Sequence, residues 1–243
     1  MKKKVSIEFD EYDLTKEKWL ETRGIGGSDL AAIMQESKWQ TYNDVYNRLI
    51  GKETKKKDLS NNSRVQEGVK LEPLIRNMWQ VENPDKNLIA PPKNGNWVFV
   101  SKKNIRMTVS PDGLILKDDR YVGGLEIKDV EVRSKVELEK WRSGYLPPQY
   151  FYQCMQYMIV INTLDYVVLH ARIKIYNYDK FDHVEEYDYV YNRSTFKSKL
   201  EKIEYIEMQF IERFVNKNER PNANYLRLIE KDYNLWKKSK KAM

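Results

Sequence analysis

Glu126 and Lys128 stand two apart in YVGGLEIKDV, residues 121–130, a run that reads as a β-strand. Successive strand side chains point to opposite faces, so Glu126 and Lys128 share one face while Leu125 and Ile127 share the other. A carboxylate and an ammonium thus leave a rigid backbone side by side. The same Glu-x-Lys spacing recurs at Glu36/Lys38 and Glu53/Lys55, in a helix end and a loop where no fixed geometry follows. Taken alone, the 126/128 pair reads as a solvated ion pair on an exposed sheet face.

The upstream residues change that reading. Ser110-Pro111-Asp112-Gly113 has strong turn chemistry, and two strands joined by the polar KDDR follow it. If that loop closes an antiparallel hairpin, Asp112 falls opposite about residue 125, beside Glu126. A bulge at Gly123-Gly124 would shift the register. The alternative is that Asp112 only caps its own turn. Glu72 is a third carboxylate, on an expected helix over 64–80 with Pro73 as a kink or a late start. Its helical neighbours include Val65, Val69, Ile75 and Trp79, an apolar stripe, and burying a carboxylate is costly unless it is paired or binds a metal. An internal Glu72–Arg76 ion pair is the competing explanation. Oxygen donors without nearby histidine or cysteine suit Mg²⁺ or Mn²⁺ rather than zinc.

Two further segments carry polar groups. After Pro147-Pro148, Gln149, Gln153 and Gln156 form a stripe on an expected helix to about 161, which either faces solvent or borders a polar site. Cys154 falls in that helix's apolar set and reads as a small core residue. Arg23-Gly24-Ile25-Gly26-Gly27-Ser28-Asp29 leads into another helix, with Ser28 as an expected N-cap. Backbone N–H groups near a helix's positive end, with Arg23 beside them, suit a phosphate. A plain glycine turn with a capped helix is the competing reading.

These residues need a scaffold. Helices are expected over 15–23, 28–35, 41–50, 134–142 and 194–216, with a surface loop at 52–63. Strands are expected at 96–101, 105–110, 113–117, 121–130, 165–175 and 184–191. The pattern is α/β (α+β): helices flanking one central mixed sheet, in a single domain over 1–216 with a basic extension at 217–243. Of 43 Lys/Arg and 36 Asp/Glu, the extension holds eight and three, so the body is nearly neutral. That extension is read as a solvated segment, a DNA-backbone contact or a docking arm. One cysteine excludes an intramolecular disulfide and a cysteine-ligated cluster. MKKKVSIEFDEYD lacks the apolar core of a secretory signal, and no run is long enough for a membrane helix, so a cytoplasmic location is expected.

The order Arg–GIGGSD, Glu-Pro, Ser-Pro-Asp-Gly, Leu-Glu-Ile-Lys and Tyr-x-x-Gln, over about residues 19–160, closely resembles the lambda-exonuclease or YqaJ-type viral recombinase family. These belong to the PD-(D/E)xK nuclease superfamily, with its restriction-endonuclease-like core. The resemblance implies that Asp112, Glu126, Glu72 and the Ile127 carbonyl bind metal, as Mg²⁺ (two per site, Mn²⁺ substituting). It implies that Lys128 orients and activates the attacking water and that Gln153, three after Tyr150, is the active-site glutamine. Arg23 and Ser28 are similar to the family's pocket for a 5′-terminal phosphate, although a single residue separates Arg23 from Ile25 where relatives often carry more. The activity implied is 5′→3′ degradation of one strand of linear double-stranded DNA to mononucleotides. The 3′ tails left behind would serve phage or prophage recombination in a bacterial host, by a homotrimer working with a single-strand-annealing protein. The alternatives are an endonuclease, a Cas4-like enzyme, or a DNA-binding module with a decayed site. The lone cysteine weighs against the second, and retention of three carboxylates and Lys128 against the third.

Overall fold

The computed structural model describes residues 6–15, 17–19, 23–52, 62–92 and 96–242. Lys2–Lys4, most of the lysine-rich loop, part of the first expected helix and the Val65 side chain lie outside the described residues. The elements run β1 (Phe9–Leu14), α1 (Gly27–Ile33), α2 (Tyr42–Leu49), α3 (Ser63–Glu82), β2 (Leu88–Ile89), β3 (Asn96–Ser101), β4 (Thr108–Val109), β5 (Gly113–Lys117) and β6 (Arg120–Val132). They continue with α4 (Lys135–Arg142), α5 (Pro148–Val160), β7 (Tyr166–Asn177), β8 (Lys180–Asn192), α6 (Arg193–Phe210) with a π-helical turn at Ile211–Val215, and α7 (Tyr225–Ala242).

The central sheet is mixed and five-stranded, in the order β2-β5-β6-β7-β8. Only β6 and β7 pair in parallel, with α4 and α5 forming the crossover between them. Strands 96–101 and 108–109 do not join this sheet, in contrast to the expectation of a single one. They form a separate three-stranded sheet with β1. β1 is half acidic, and Phe9 is its one buried residue, as suits an edge strand. The expected strand at 105–110 shrinks to Thr108–Val109 because residues 102–106 turn.

Two packing layers frame the central sheet. One face carries Ile115, Leu125, Ile127 and Val168 against Ile75 and Trp79 of α3. The other packs against α5, whose Cys154, Met155, Met158 and Ile159 join α1 and α6 in the main core. Helix α3 runs through Pro73 and begins before it, so the proline is interior to the helix. Val69 is 67% exposed, which removes it from the stripe assigned to it. The 217–243 segment contributes to the core as well. Tyr225, Ile229 and Tyr233 recur at i, i+4 and i+8 and are buried, Tyr225 and Ile229 in the main cluster.

Candidate active site

The β5–β6 hairpin brings the first two carboxylates together. Lys117 pairs with Arg120 and Leu116 with Tyr121, but Ile115 pairs with Gly123, so Val122 is the extra residue of a bulge. The shift sets Gly113 opposite Leu125, and Asp112 continues that register to Glu126. Asp112 Oδ2 accepts the Ile127 N–H at 2.7 Å, so Asp112 is locked to β6 rather than only closing its own turn. Glu126 is 1% exposed, which replaces the solvated ion pair by a buried one. Its carboxylate receives hydrogen bonds from Lys128 Nζ and from the hydroxyl of Tyr157 on α5.

Glu72 approaches from α3 and is bonded to Arg76, so the internal i,i+4 pair exists. That pairing does not isolate it. Burial raises its pKa, Arg76 opposes this, Glu126 raises it further and Lys128 lowers it. Asp112 is pushed well above the usual carboxylate range by desolvation, by Glu126 and by Glu72. Lys128 behaves in the opposite sense. Burial disfavours its ammonium, yet Glu126 and Asp112 hold its pKa above the ordinary lysine value. It also lies 5.2 Å from the centre of the Tyr150 ring, a cation–π contact.

Asp112, Glu126 and Glu72 repel one another around Lys128, and the ammonium only partly offsets their charge. The residues that would hold a hard divalent cation such as Mg²⁺ or Mn²⁺ are the oxygen donors Asp112, Glu126, Glu72 and the Ile127 carbonyl. Among the described residues, no three Asp, Glu, His or Cys side chains already converge as a ligand set. Lys128 and Tyr157 hold Glu126 while Arg76 holds Glu72, so a metal bound there would exchange internal hydrogen bonds for coordination.

A cleft of about 180 Å³ adjoins these residues and is lined by Trp19, Arg23, Gly26, Gly27, Ser28, Thr108, Ser110, Gln153 and Tyr157 among others. The glycine turn earns its composition by close approach. A Cβ at Gly24 would stand 2.1 Å from the Arg106 carbonyl oxygen, and one at Gly27 2.6 Å from Gln153 Cγ. The turn is stitched to the strand before the site by Ile25 N–H to Arg106 O at 2.5 Å and Thr108 N–H to Ile25 O at 3.0 Å. Ser28 is not the N-cap. Gly26 occupies that position, and Asp29 folds back to accept the Gly26 N–H at 2.9 Å, which leaves Ser28 in the first turn and exposed. Arg23 packs over the Trp19 ring at 5.0 Å.

Three contributors escaped the sequence reading. Tyr157 touches both the cleft and Glu126, four residues after Gln153, and so lies on the same face of α5. Buried Asp29 is paired with Arg48 at 2.7 Å. Arg48 also donates to the carbonyls of Arg23 and Gly24 at 3.1 Å each, holding the turn in shape. Of the glutamine stripe, Gln153 alone lines the cleft. Gln156 is fully buried and bonded to Glu207 at 2.7 Å. Cys154 is buried with its pKa raised by desolvation, so it is a core residue.

The model of the YqaJ-like viral recombinase domain matches residues 18–163, more than half of the chain and the whole of this site. The chain belongs to the YqaJ-like viral recombinase family. With it the chain belongs to the PD-(D/E)xK nucleases, and every residue of the site described above lies within the matched segment. The fold is also that of a solved alkaline exonuclease, LHK-Exo from Laribacter hongkongensis, at 18% identity and a TM-score of 0.54, covering 94% of this chain and 100% of that one. LHK-Exo in complex with dAMP matches at 17% identity and a TM-score of 0.51, over 84% and 95% of the two chains. Comparison with curated proteins gave no match. Among the described residues, no helix is long and apolar enough to cross a membrane.

Proposed function

We propose that this recombinase is a Mg²⁺-dependent 5′→3′ exonuclease that hydrolyses one strand of linear double-stranded DNA to mononucleotides. The 3′ tails it leaves feed strand annealing in phage or prophage recombination, in the cytoplasm of a bacterial host. One observation carries the reading: Tyr157 joins the Asp112–Glu126–Lys128 cluster to the cleft that holds Arg23, Ser28 and Gln153. A phosphodiester bound across that junction has its 5′ terminus in the cleft and its scissile phosphorus at the carboxylates.

Each side chain then has a task. Arg23 and the Ser28 hydroxyl bind the terminal phosphate, Arg23 through its planar fork of donors. The Gln153 amide, in the lining of the same cleft, orients the nucleotide. Lys128, held protonated by Glu126 and Asp112, donates hydrogen bonds to the attacking water and to phosphoryl oxygen; as a cation it positions the water and does not take its proton. When bound, Mg²⁺ lowers the pKa of water and neutralises phosphoryl charge. Contacts to phosphate alone fit an enzyme that degrades any sequence. Assembly as a homotrimer and association with a single-strand-annealing protein complete the proposal.

The test incubates the protein with linear and covalently closed circular duplex, in Mg²⁺ or Ca²⁺. Linear 5′-phosphorylated duplex should disappear in Mg²⁺ alone, with circles spared. Cutting of closed circles makes the protein an endonuclease.

A further inference from the structure

The loop between α1 and α2 presents Trp39 to solvent with 82% of its surface exposed. The other five tryptophans are buried or half-buried. An indole so exposed gives up the large apolar area that makes tryptophan useful in a core. Its loop is not slack. The Ser37 hydroxyl accepts the Trp39 N–H at 3.2 Å and the Gln40 N–H at 3.4 Å. The Gln40 amide then donates to the Ser28 carbonyl at 3.1 Å and to Asp29 Oδ1 at 3.0 Å. The residue after Trp39 is therefore tied to the first turn of α1, the turn that lines the cleft with Ser28.

We infer that Trp39 is a stacking platform for a nucleobase at the end of the duplex whose 5′ terminus enters that cleft. The inference rests on the exonuclease reading and extends it to a base contact. Every base offers a π-face, so a flat ring gives a grip that is independent of sequence, as successive removal of nucleotides requires. Hydrogen bonds fix the loop backbone that carries the ring before DNA arrives, so little loop ordering accompanies binding. Trp39 touches the DNA end rather than the reacting atoms, and its role is positioning.

Two readouts test this. A duplex carrying 2-aminopurine as the 5′-terminal base, bound in Ca²⁺, should lose fluorescence on stacking with the wild type and keep it with Trp39→Ala. In Mg²⁺, Trp39→Ala should raise KM for linear duplex about 5–100-fold with kcat within about twofold. Trp39→Phe should recover most of the loss, and the melting temperature of both variants should match the wild type because the ring is exposed. Unchanged quenching and unchanged KM in Trp39→Ala overturn the proposal. So does a change in sedimenting mass with DNA binding intact, which places the indole between copies of the chain. If the wild type digests no linear duplex, the exonuclease reading fails, and the 2-aminopurine signal alone decides the role of Trp39.

Discussion

The hydroxyl of Tyr157 donates a hydrogen bond to the Glu126 carboxylate, across the interface between helix α5 and strand β6. It also lies 3.1 Å from the Ser110 carbonyl, one residue before the Pro111-Asp112 turn. Burial and Glu126 push the Tyr157 pKa well above its usual value, so the phenol remains a neutral donor. Tyr157→Phe keeps the ring and removes the donor. It should lower stability by about 1–3 kcal/mol, the usual cost of leaving a buried partner unsatisfied, read in a denaturant melt without metal. It should also change the Mg²⁺ concentration needed for half-maximal digestion more than KM for DNA.

Lys128→Ala should reduce digestion by at least about 10²-fold, the scale on which losing one preorganised hydrogen-bond donor to the transition state acts. Initial rates on 5′-phosphorylated duplex at saturating Mg²⁺ check this, with circular dichroism confirming the fold. Wild-type rates would remove Lys128 from the chemistry.

Asp112→Asn should separate stability from activity. Asparagine Oδ1 can still accept the Ile127 N–H, but the repulsion with Glu126 and Glu72 is gone. The metal-free variant should melt above the metal-free wild type while losing digestion and most of the stabilisation that Mg²⁺ confers. A variant stabilised by Mg²⁺ as much as the wild type contradicts a metal-binding role for Asp112.

Glu207 gives a pH dependence away from the site. It is fully buried, and burial raises its pKa well above the usual value, with the Gln156 hydrogen bond opposing. The buried oxygens left without partners include Gln156 Oε1 and Glu207 Oε2, and a proton on Glu207 supplies the missing donor. A folded-state pKa above the unfolded one means that this contribution is complete below about pH 4 and is lost as pH rises through the folded pKa. Glu207→Gln should flatten that part of the profile of stability against pH, and an unchanged profile rules Glu207 out as its source.

How much of this was legible in the sequence depends on the kind of signal. Asp112 and Glu126 could be paired because turn residues and a two-residue period fix a hairpin; the bulge at Val122 then moved the register by one. The solvated reading of Glu126 failed because alternation reports which side chains share a face and says nothing about what covers it. Here α5 does, through Tyr157. A tyrosine among Met, Cys and Ile on a buried helix carries no mark of its role, although its i+4 relation to Gln153 was visible. Ser28 was misread as a cap because the helix starts earlier than expected, with Gly26 at the N-cap and Asp29 bonded back to the Gly26 N–H. Helix α7 was hidden by its lysines, while the spacing of Tyr225, Ile229 and Tyr233 had the helical period throughout.

That helix makes its own prediction. Arg227, Lys231 and Lys238 are exposed on one face of α7, at spacings of i, i+4 and i+11. If they meet duplex phosphates, replacing all three with glutamine should lower the slope of log K against log salt by up to about 2–3, since each released counterion contributes about 0.9. An unchanged slope leaves α7 with its packing role alone.

The central claim is that one site binds a 5′ end and hydrolyses the adjacent phosphodiester. It is tested most directly by following a linear duplex labelled at the 5′-terminal phosphate of one strand and at the 3′ end of the same strand. In Mg²⁺ the 5′ label should leave first, as a mononucleotide, while the 3′ label stays on a shortening strand. Arg23→Ala with Ser28→Ala should slow 5′-phosphorylated ends more than 5′-hydroxyl ends. Release of the 3′ label first, or of internal fragments, would contradict the account.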